Sequence, residues 1–388
     1  MRRFAFGIAL AGILGGAHAA PAAWLRGVGD LEGGAFSSTA TAISTNGLVV
    51  VGSSRSLDGG EAFRWVDGVM TGLGDLDGGA FGSRANAVSA DGTVVVGVSA
   101  SANGDFEAFR WVDGVMTGLG DLPLGPFESD ARGISANGRV IAGKCAGASS
   151  YLGCYWSDGV LNSINQLLGK TGGSAAFAIS ADGLVIVGGS GSGSGAEAFF
   201  SELGATAGLG DLDGGDFASR ARAVSADGSV VVGSSASSTA TAEAFRWQNG
   251  VMVGLGDLAG GDFASSALAV AADGSVVAGI SKTGLGDEAF YWRADTGMQR
   301  LKDVLDNASV DTEGWILSGA QGISADGLTI VGEGIDPLGR EQGWIAFVPE
   351  PDEFAAGAVS ALAMIGLGWR DRRRAARARR APDSLAPG

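Results

Sequence analysis

Histidine is almost absent from this sequence: the single one, His18, lies in an N-terminal segment with the features of a cleavable export signal. Without histidine, the mature chain can form neither a Ser-His-Asp triad nor a histidine-ligated metal site. Glycoside hydrolysis by two carboxylates about 5 to 9.5 Å apart stays compatible with the composition. No acidic pair stands out, so we predict no catalytic residue, no cofactor and no metal site.

Cysteine is also scarce, and the two that occur, Cys145 and Cys154, are close together. They lie at the end of one predicted strand and the start of the next, across a short hairpin loop. An even, closely spaced pair in an exported protein predicts a disulfide. Because the loop that the disulfide closes is short, the disulfide should stabilise the fold by less than the roughly 3 kcal/mol expected for a 15-residue loop.

Long apolar helical stripes are missing as well, whereas glycine is abundant, with 69 residues. Regular Asp-Gly pairs would interrupt a helix but suit tight turns with positive φ. Copies of one small-apolar-Ser-x-Asp/Asn-Gly segment recur 45 or 46 residues apart, with a last step of 53, starting at Ala42, Ala87, Gly133, Ala178, Ala223, Ala269 and Gly322. A period near 45 residues is typical of the blades of a β-propeller.

One repeat contains four strand signals, which is the content of a propeller blade. Residues 85–90, 93–99, 107–111 and 115–122 are short, mostly apolar segments separated by tight turns. Seven such repeats predict an all-β chain that forms a seven-bladed β-propeller over residues 20–348.

The two ends of the repeat array complement each other. Residues 25–31 match the fourth strand of later repeats, although no first three strands precede them, and the seventh repeat stops after its third strand at residues 343–347. We therefore predict that the N-terminal strand closes the seventh blade, which removes an exposed sheet edge. Degenerate fourth strands are expected at residues 163–168 and 299–305.

Two recurring motifs resemble binding sites, and each also has a structural interpretation. The third strands carry Glu-Ala-Phe-Arg-Trp, as at residues 61–65, whose rings fit the core between blades, with carbohydrate stacking as the alternative. The Gly-x-Gly-Asp-Leu motif, as at residues 72–76, resembles the glycine-rich phosphate loop of a nucleotide site. No helix is predicted to follow it, which argues against nucleotide binding. Its acidic form at residues 211–216 leaves calcium binding open, although Asp and Gly are also what a tight turn needs.

The central channel is expected to be lined by the first strands. The residues predicted to face the channel are Thr41, Asn86, Arg132, Phe177, Arg222, Leu268 and Gln321. Their residue types differ from blade to blade, which argues against one binding function repeated seven times.

The motifs Ala-Phe-Arg-Trp-x-Asp-Gly-x-Met, Gly-Asp-Leu-x-Gly-Gly and Val-Val-Val-Gly-Ser follow one another repeatedly over about residues 25–348. In this the chain resembles the bacterial extracellular HAF-repeat family. The resemblance implies a secreted or surface β-propeller-like protein from a family whose members mostly lack an assigned activity. That family often has histidine before the Ala-Phe of this motif, where this sequence has Glu61, Glu107, Glu197, Glu243 and Glu288. The replacement removes the basis for a metal or acid-base role at that position.

The N-terminal segment predicts export. Residues 1–19 combine Arg2 and Arg3 with a short apolar run and a small-x-small site, which places cleavage between Ala19 and Ala20. A membrane-spanning helix would need about 20 apolar residues, and this run is shorter and broken by glycine.

The C-terminal segment resembles the PEP-CTERM sorting signal. Pro349, Glu350 and Pro351 precede an apolar run at residues 355–369 and an arginine cluster. As a helix that run spans only about 22 Å, short of a hydrocarbon core about 30 Å thick. The resemblance implies processing by an exosortase in the inner membrane of a Gram-negative bacterium. Residues 349–380 would form the signal and 381–388 a disordered tail.

Acidic residues outnumber basic ones, 42 to 26. Nine of the basic and four of the acidic residues lie in the N-terminal signal or after Pro351, so the body between them carries a charge near −21. Such a surface disfavours nucleic acid and anionic membranes. We predict an exported, surface- or matrix-associated, non-catalytic module that binds a glycan or a protein, with a polysaccharide-acting enzyme as the alternative.

Overall fold

The structure, a computed structural model, describes residues 22–349 apart from 103, 124, 168–171, 193–194 and 203. Within this part of the chain, Ala23–Val348 form one compact unit that contains seven four-stranded antiparallel sheets. Each of the first six repeats supplies one sheet, the seventh repeat and the N-terminal strand form the last, and the sheets are the blades of a propeller. The prediction of an all-β, seven-bladed β-propeller is confirmed.

The strands are numbered in chain order, and the first complete blade begins at β2. Blades 1 to 3 contain β2 (Gly33–Ile43), β3 (Val49–Ser56), β4 (Gly60–Val66), β5 (Val69–Gly72), β6 (Ser83–Val88), β7 (Val94–Ser101), β8 (Gly104–Val112), β9 (Val115–Gly118), β10 (Ser129–Ile134), β11 (Val140–Ala146), β12 (Tyr151–Ser157) and β13 (Val160–Ser163). Blades 4 and 5 contain β14 (Ser174–Ile179), β15 (Val185–Ser192), β16 (Gly195–Glu202), β17 (Ala205–Gly210), β18 (Ser219–Val224), β19 (Val230–Ser235), β20 (Glu243–Gln248) and β21 (Val251–Gly254).

The last two blades depart from the simple order. Blade 6 contains β22 (Ser265–Val270), β23 (Val276–Thr283), β24 (Gly286–Arg293) and β25 (Gly297–Arg300), and a helix, α1 (Leu301–Asn307), follows it. Blade 7 contains β26 (Ile316–Ile323), β27 (Thr329–Ile335), β28 (Glu341–Phe347) and β1 (Trp24–Gly27).

The N-terminal strand closes the propeller, as the sequence predicts. Strand β1 pairs antiparallel with β28, with Trp24 opposite Phe347. A serine then joins blade 7 to blade 1, because the Ser38 hydroxyl accepts a hydrogen bond from the Gly343 N–H (3.1 Å) and donates one to the Gly29 carbonyl. Equivalent serines link blades 1 to 6 in succession, at Ser83, Ser129, Ser174, Ser219 and Ser265.

The hydrophobic core consists of clusters between adjacent blades. In the cluster between blades 7 and 1, Val331 and Ile345 pack against Val50 and Phe63. The motif phenylalanines Phe63, Phe109, Phe245 and Phe290 are fully buried in such clusters. The interpretation of these rings as core is therefore confirmed, and they are not available to stack on a sugar.

The Ser-x-Asp-Gly segment forms the turn between the first two strands of a blade. In blade 2, the Ser89 hydroxyl accepts from the Val94 N–H (3.0 Å) and donates to Asp91 (2.7 Å), and Gly92 adopts φ +75°. The turns of successive blades are joined by main-chain hydrogen bonds around the axis. One of these, from the Ala325 N–H to the Thr45 carbonyl (3.2 Å), links blade 7 to blade 1.

The predicted bounds of the fourth strands were too long. Strand β9 ends at Gly118, not at residue 122. Strand β13 occupies Val160–Ser163, so it ends at the first residue of the degenerate strand predicted at 163–168. The other expected degenerate strand, at 299–305, is mostly helix α1. Leu301 and Leu305 lie one turn apart on this helix and are both buried between blades 6 and 7, so their packing favours the helix.

Candidate functional site

A β-bulge in the first strand of every blade points one residue toward the axis. At each bulge the pairing register skips a single residue, and the residues skipped are Thr41, Asn86, Arg132, Phe177, Arg222, Leu268 and Gln321. A bulge of this kind re-aims its side chain out of the ladder. All seven residues line a cavity of about 220 Å³ on the axis, which we call the channel. The prediction for the lining of the channel is confirmed.

The polar groups of the channel are concentrated in blades 2 to 5. Arg132 forms an ion pair with the buried Asp130 (2.8 Å), which also accepts a hydrogen bond from the Asn86 side chain (2.8 Å). Arg222 and Arg132 both lie over the ring of Phe177, 5.0 and 5.2 Å from its centre. The channel therefore carries positive charge in a strongly acidic protein.

A larger cavity, of about 430 Å³, lies where blades 1, 2 and 3 meet, and we call it the three-blade cavity. Strand β6 begins here and β7 ends here, so the cavity is at the end of the propeller opposite the Ser-x-Asp-Gly turns. Phe106 lines it and is half exposed (49%), beside Arg84 and Lys144. Arg132 lines both this cavity and the channel.

Blade 3 holds an acidic group of the three-blade cavity in place. Glu128 lies 3.8 Å from the Lys144 ammonium and accepts a hydrogen bond from the Tyr151 hydroxyl (2.6 Å). The Lys144 ammonium also lies over the Tyr151 ring, 4.1 Å from its centre. The cavity thus presents an aromatic ring, three cations and two oriented carboxylates, which are the kinds of group that orient a polar ligand.

The glutamates that precede the Ala-Phe of the third strands have a structural role. Glu61 accepts a hydrogen bond from the Gly74 N–H (3.0 Å), and Glu107 accepts the equivalent bond from Gly120 (3.0 Å). Each carboxylate thereby holds the start of the connection to the next blade.

The aspartates of the Gly-x-Gly-Asp-Leu motif lie in partly desolvated loops. Burial raises the pKa of Asp75, Asp211 and Asp257 above the usual value. In the predicted alternative calcium site at residues 211–216, Gly214 adopts φ +87°, as a tight turn requires. Among the described residues there is no group of three or more acidic, cysteine or histidine side chains that could hold a metal ion.

The other predicted site residues divide between the described part of the chain and its ends. Cys145 and Cys154 form the predicted disulfide, with 5.9 Å between their Cα atoms. Pro349 is the last described residue; the cleavage site Ala19 and Ala20, and the motif residues Glu350 and Pro351, lie outside the described part. In that part, no helix has the length and hydrophobicity needed to cross a membrane.

The three-blade cavity is not among the sequence predictions, because its residues come from three repeats. The sequence signal that could have indicated the cavity is the set of blade 3 residues that differ from their equivalents in blades 1 and 2. Lys144 stands where Ser53 and Val98 stand in blades 1 and 2. Glu128 likewise stands where those blades have Ser37 and Gly82.

No family model matches the sequence, and no curated protein matches it. Among solved structures, the chain is similar to oligogalacturonate lyase from Vibrio parahaemolyticus (11% identity, TM-score 0.53) and to oligogalacturonate lyase in complex with manganese (12% identity, TM-score 0.52). Each similarity covers 80% of this chain and 89% of the other. The chain is also similar to TolB from Acinetobacter baumannii (11% identity, TM-score 0.45), over 65% of this chain and 62% of that one. At these identities the likeness shows the β-propeller fold alone.

Proposed function

We propose that this protein is an exported, surface- or matrix-associated β-propeller that binds a glycan without transforming it. The observation that supports binding is the three-blade cavity. Its half-exposed Phe106 ring can pack against the apolar face of a sugar, while Arg84, Lys144 and Glu128 lie in the same cavity to exchange hydrogen bonds with hydroxyl groups.

The arrangement of carboxylates supports the non-catalytic part of the proposal. Hydrolysis by two carboxylates needs one of them to serve as a proton donor and the other as base or nucleophile. In the three-blade cavity, Asp130 is held by Arg132 and Asn86, and Glu128 is held by Lys144 and Tyr151. Both carboxylates are engaged in orienting the cavity wall.

Export is supported by the two terminal sorting segments, and the Cys145–Cys154 disulfide fits an oxidising compartment. After export and exosortase processing, the repeats would be the working part of the molecule. The acidic surface suits a soluble or matrix-bound protein.

A glycan array tests the binding site. We expect the purified protein to bind a restricted set of glycans, and Phe106→Ala and Lys144→Met to reduce that signal at least tenfold. The matched controls are Leu285→Ala and Lys282→Met, which change exposed residues of the corresponding hairpin in blade 6. Equal signals from the wild-type protein and the blade 2 and blade 3 variants would contradict the assignment of the cavity.

A further inference from the structure

The two channel arginines differ in their partners. Arg132 is neutralised by Asp130, which contacts its guanidinium at 2.8 Å. The Nε–H of Arg222 is buried and has no hydrogen-bond partner among the described residues. A charged donor without a partner in a desolvated position costs free energy, and proteins pair such groups with an anion.

The surroundings of Arg222 are cationic and aromatic. Its guanidinium and that of Arg132 share the ring of Phe177. Burial, together with the charges of Arg220 and Arg132, lowers the pKa of Arg222 from its usual value, although a guanidinium stays charged in proteins. The ring offsets only part of this cost, because a cation–π contact is weak compared with the desolvation of a charged group. Arg222 and Arg132 thus give the channel a local positive charge, although the protein as a whole has an excess of acidic residues.

We propose that the channel binds a small carboxylate ligand, with Arg222 as its main contact and Arg132 as the second cation. A guanidinium presents parallel N–H groups that match the two oxygens of a carboxylate. Phe177 supplies an apolar wall beside it, and the channel volume of about 220 Å³ limits the ligand to a small molecule or the end of a chain. This site shares Arg132 with the three-blade cavity, but its main contact, Arg222, lines only the channel, and the proposal goes beyond the proposed function.

Calorimetric titration with sodium glucuronate, with glucose as the uncharged match, tests the site. We expect saturable binding of glucuronate and none of glucose. Arg222→Gln should weaken binding at least tenfold, and Arg222→Lys should weaken it less, because charge remains while the fork of donors is lost. The matched control is Arg220→Gln, which changes the same charge on the same strand but does not line the channel.

Thermal melting separates binding from folding. Arg222→Gln should melt no lower than the wild-type protein, because the substitution removes an unpaired charge; if it unfolds, Arg222→Lys decides the question. Glucuronate binding that is unchanged in the folded Arg222 variants, or absent from the wild type, would overturn the site. Binding of inorganic phosphate without glucuronate would overturn the carboxylate assignment. None of these results bears on Phe106 and Lys144, which do not line the channel.

Discussion

The Glu61 carboxylate occupies the space that a side chain on Gly72 would need. The same relationship joins Glu107 to Gly118 and, in the blade built from both ends of the chain, Gln342 to Gly27. In blade 6, Arg300 stands at the position of Gly72 and forms an ion pair with Glu288 instead (2.9 Å). The glycine of the fourth strand and the acidic residue of the third strand are therefore one structural unit.

Replacing Gly72 with alanine should destabilise the protein, because the new methyl group displaces the Glu61 carboxylate. We expect a loss of about 1 to 3 kcal/mol of unfolding free energy in urea denaturation. The loss should be smaller in the presence of Glu61→Ala, which empties the space. Gly60→Ala is the control, since no atom lies within 4 Å of the position of its β-carbon, and it should change stability by less than about 0.5 kcal/mol. Additive effects of Gly72→Ala and Glu61→Ala would contradict this account.

The first turn of blade 6 has alanine where the other blades have serine. Ala271 is buried, and Asp273 follows it as Asp91 follows Ser89. Ala271→Ser should add the missing hydrogen bonds and raise unfolding free energy by about 1 kcal/mol, whereas Ser89→Ala should lower it by a similar amount. Chemical denaturation of the two variants measures both effects. A loss of stability in Ala271→Ser would show that the turns are not equivalent.

Two classes of aspartate give opposite pH dependence. Hydrogen bonds from Ser89 and Ser180 lower the pKa of Asp91 and Asp182 below the usual 3.8, so their contribution to stability is present above about pH 4 and is lost as the pH falls further. Burial raises the pKa of Asp75 and Asp257, so protonation of these groups stabilises the fold, and that contribution is lost as the pH rises through their folded-state pKa.

We therefore expect the melting temperature to rise as the pH falls toward about 4, and to decrease below about pH 4. Asp75→Asn combined with Asp257→Asn should flatten the rise without removing the acid loss. Because Asp91 and Asp182 are exposed and Asp75 and Asp257 are only partly buried, each contribution should be small. Differential scanning calorimetry across this range tests the prediction, and a steeper rise in the double variant would contradict it.

The repeat period and the strand signals were sufficient to predict the propeller, because each blade repeats the same turn chemistry and the same alternation. The bulge residues of the channel were also predictable from their shared position in the repeat. The strand register shows that Cys154 occupies the position of a core phenylalanine and Cys145 that of a buried serine. Helix α1 and the three-blade cavity were missed because packing between different repeats determines them.

The C-terminal segment should be a removable sorting signal. Mass spectrometry of surface-associated protein from the native host should find a chain that ends near Pro351. A host without the sorting protease should retain the arginine-rich tail in its membrane fraction. An intact tail on surface protein would mean that the segment is a permanent anchor.

Binding without turnover is the central claim, and it is tested most directly on a glycan that the array shows to be retained. The purified protein and that glycan are incubated together, and the molecular mass of the recovered glycan is then measured by mass spectrometry. We predict that its mass and chain length are unchanged while binding persists. Time-dependent shortening of the glycan, abolished by Glu128→Gln or Asp130→Asn, would contradict the account and identify an enzyme.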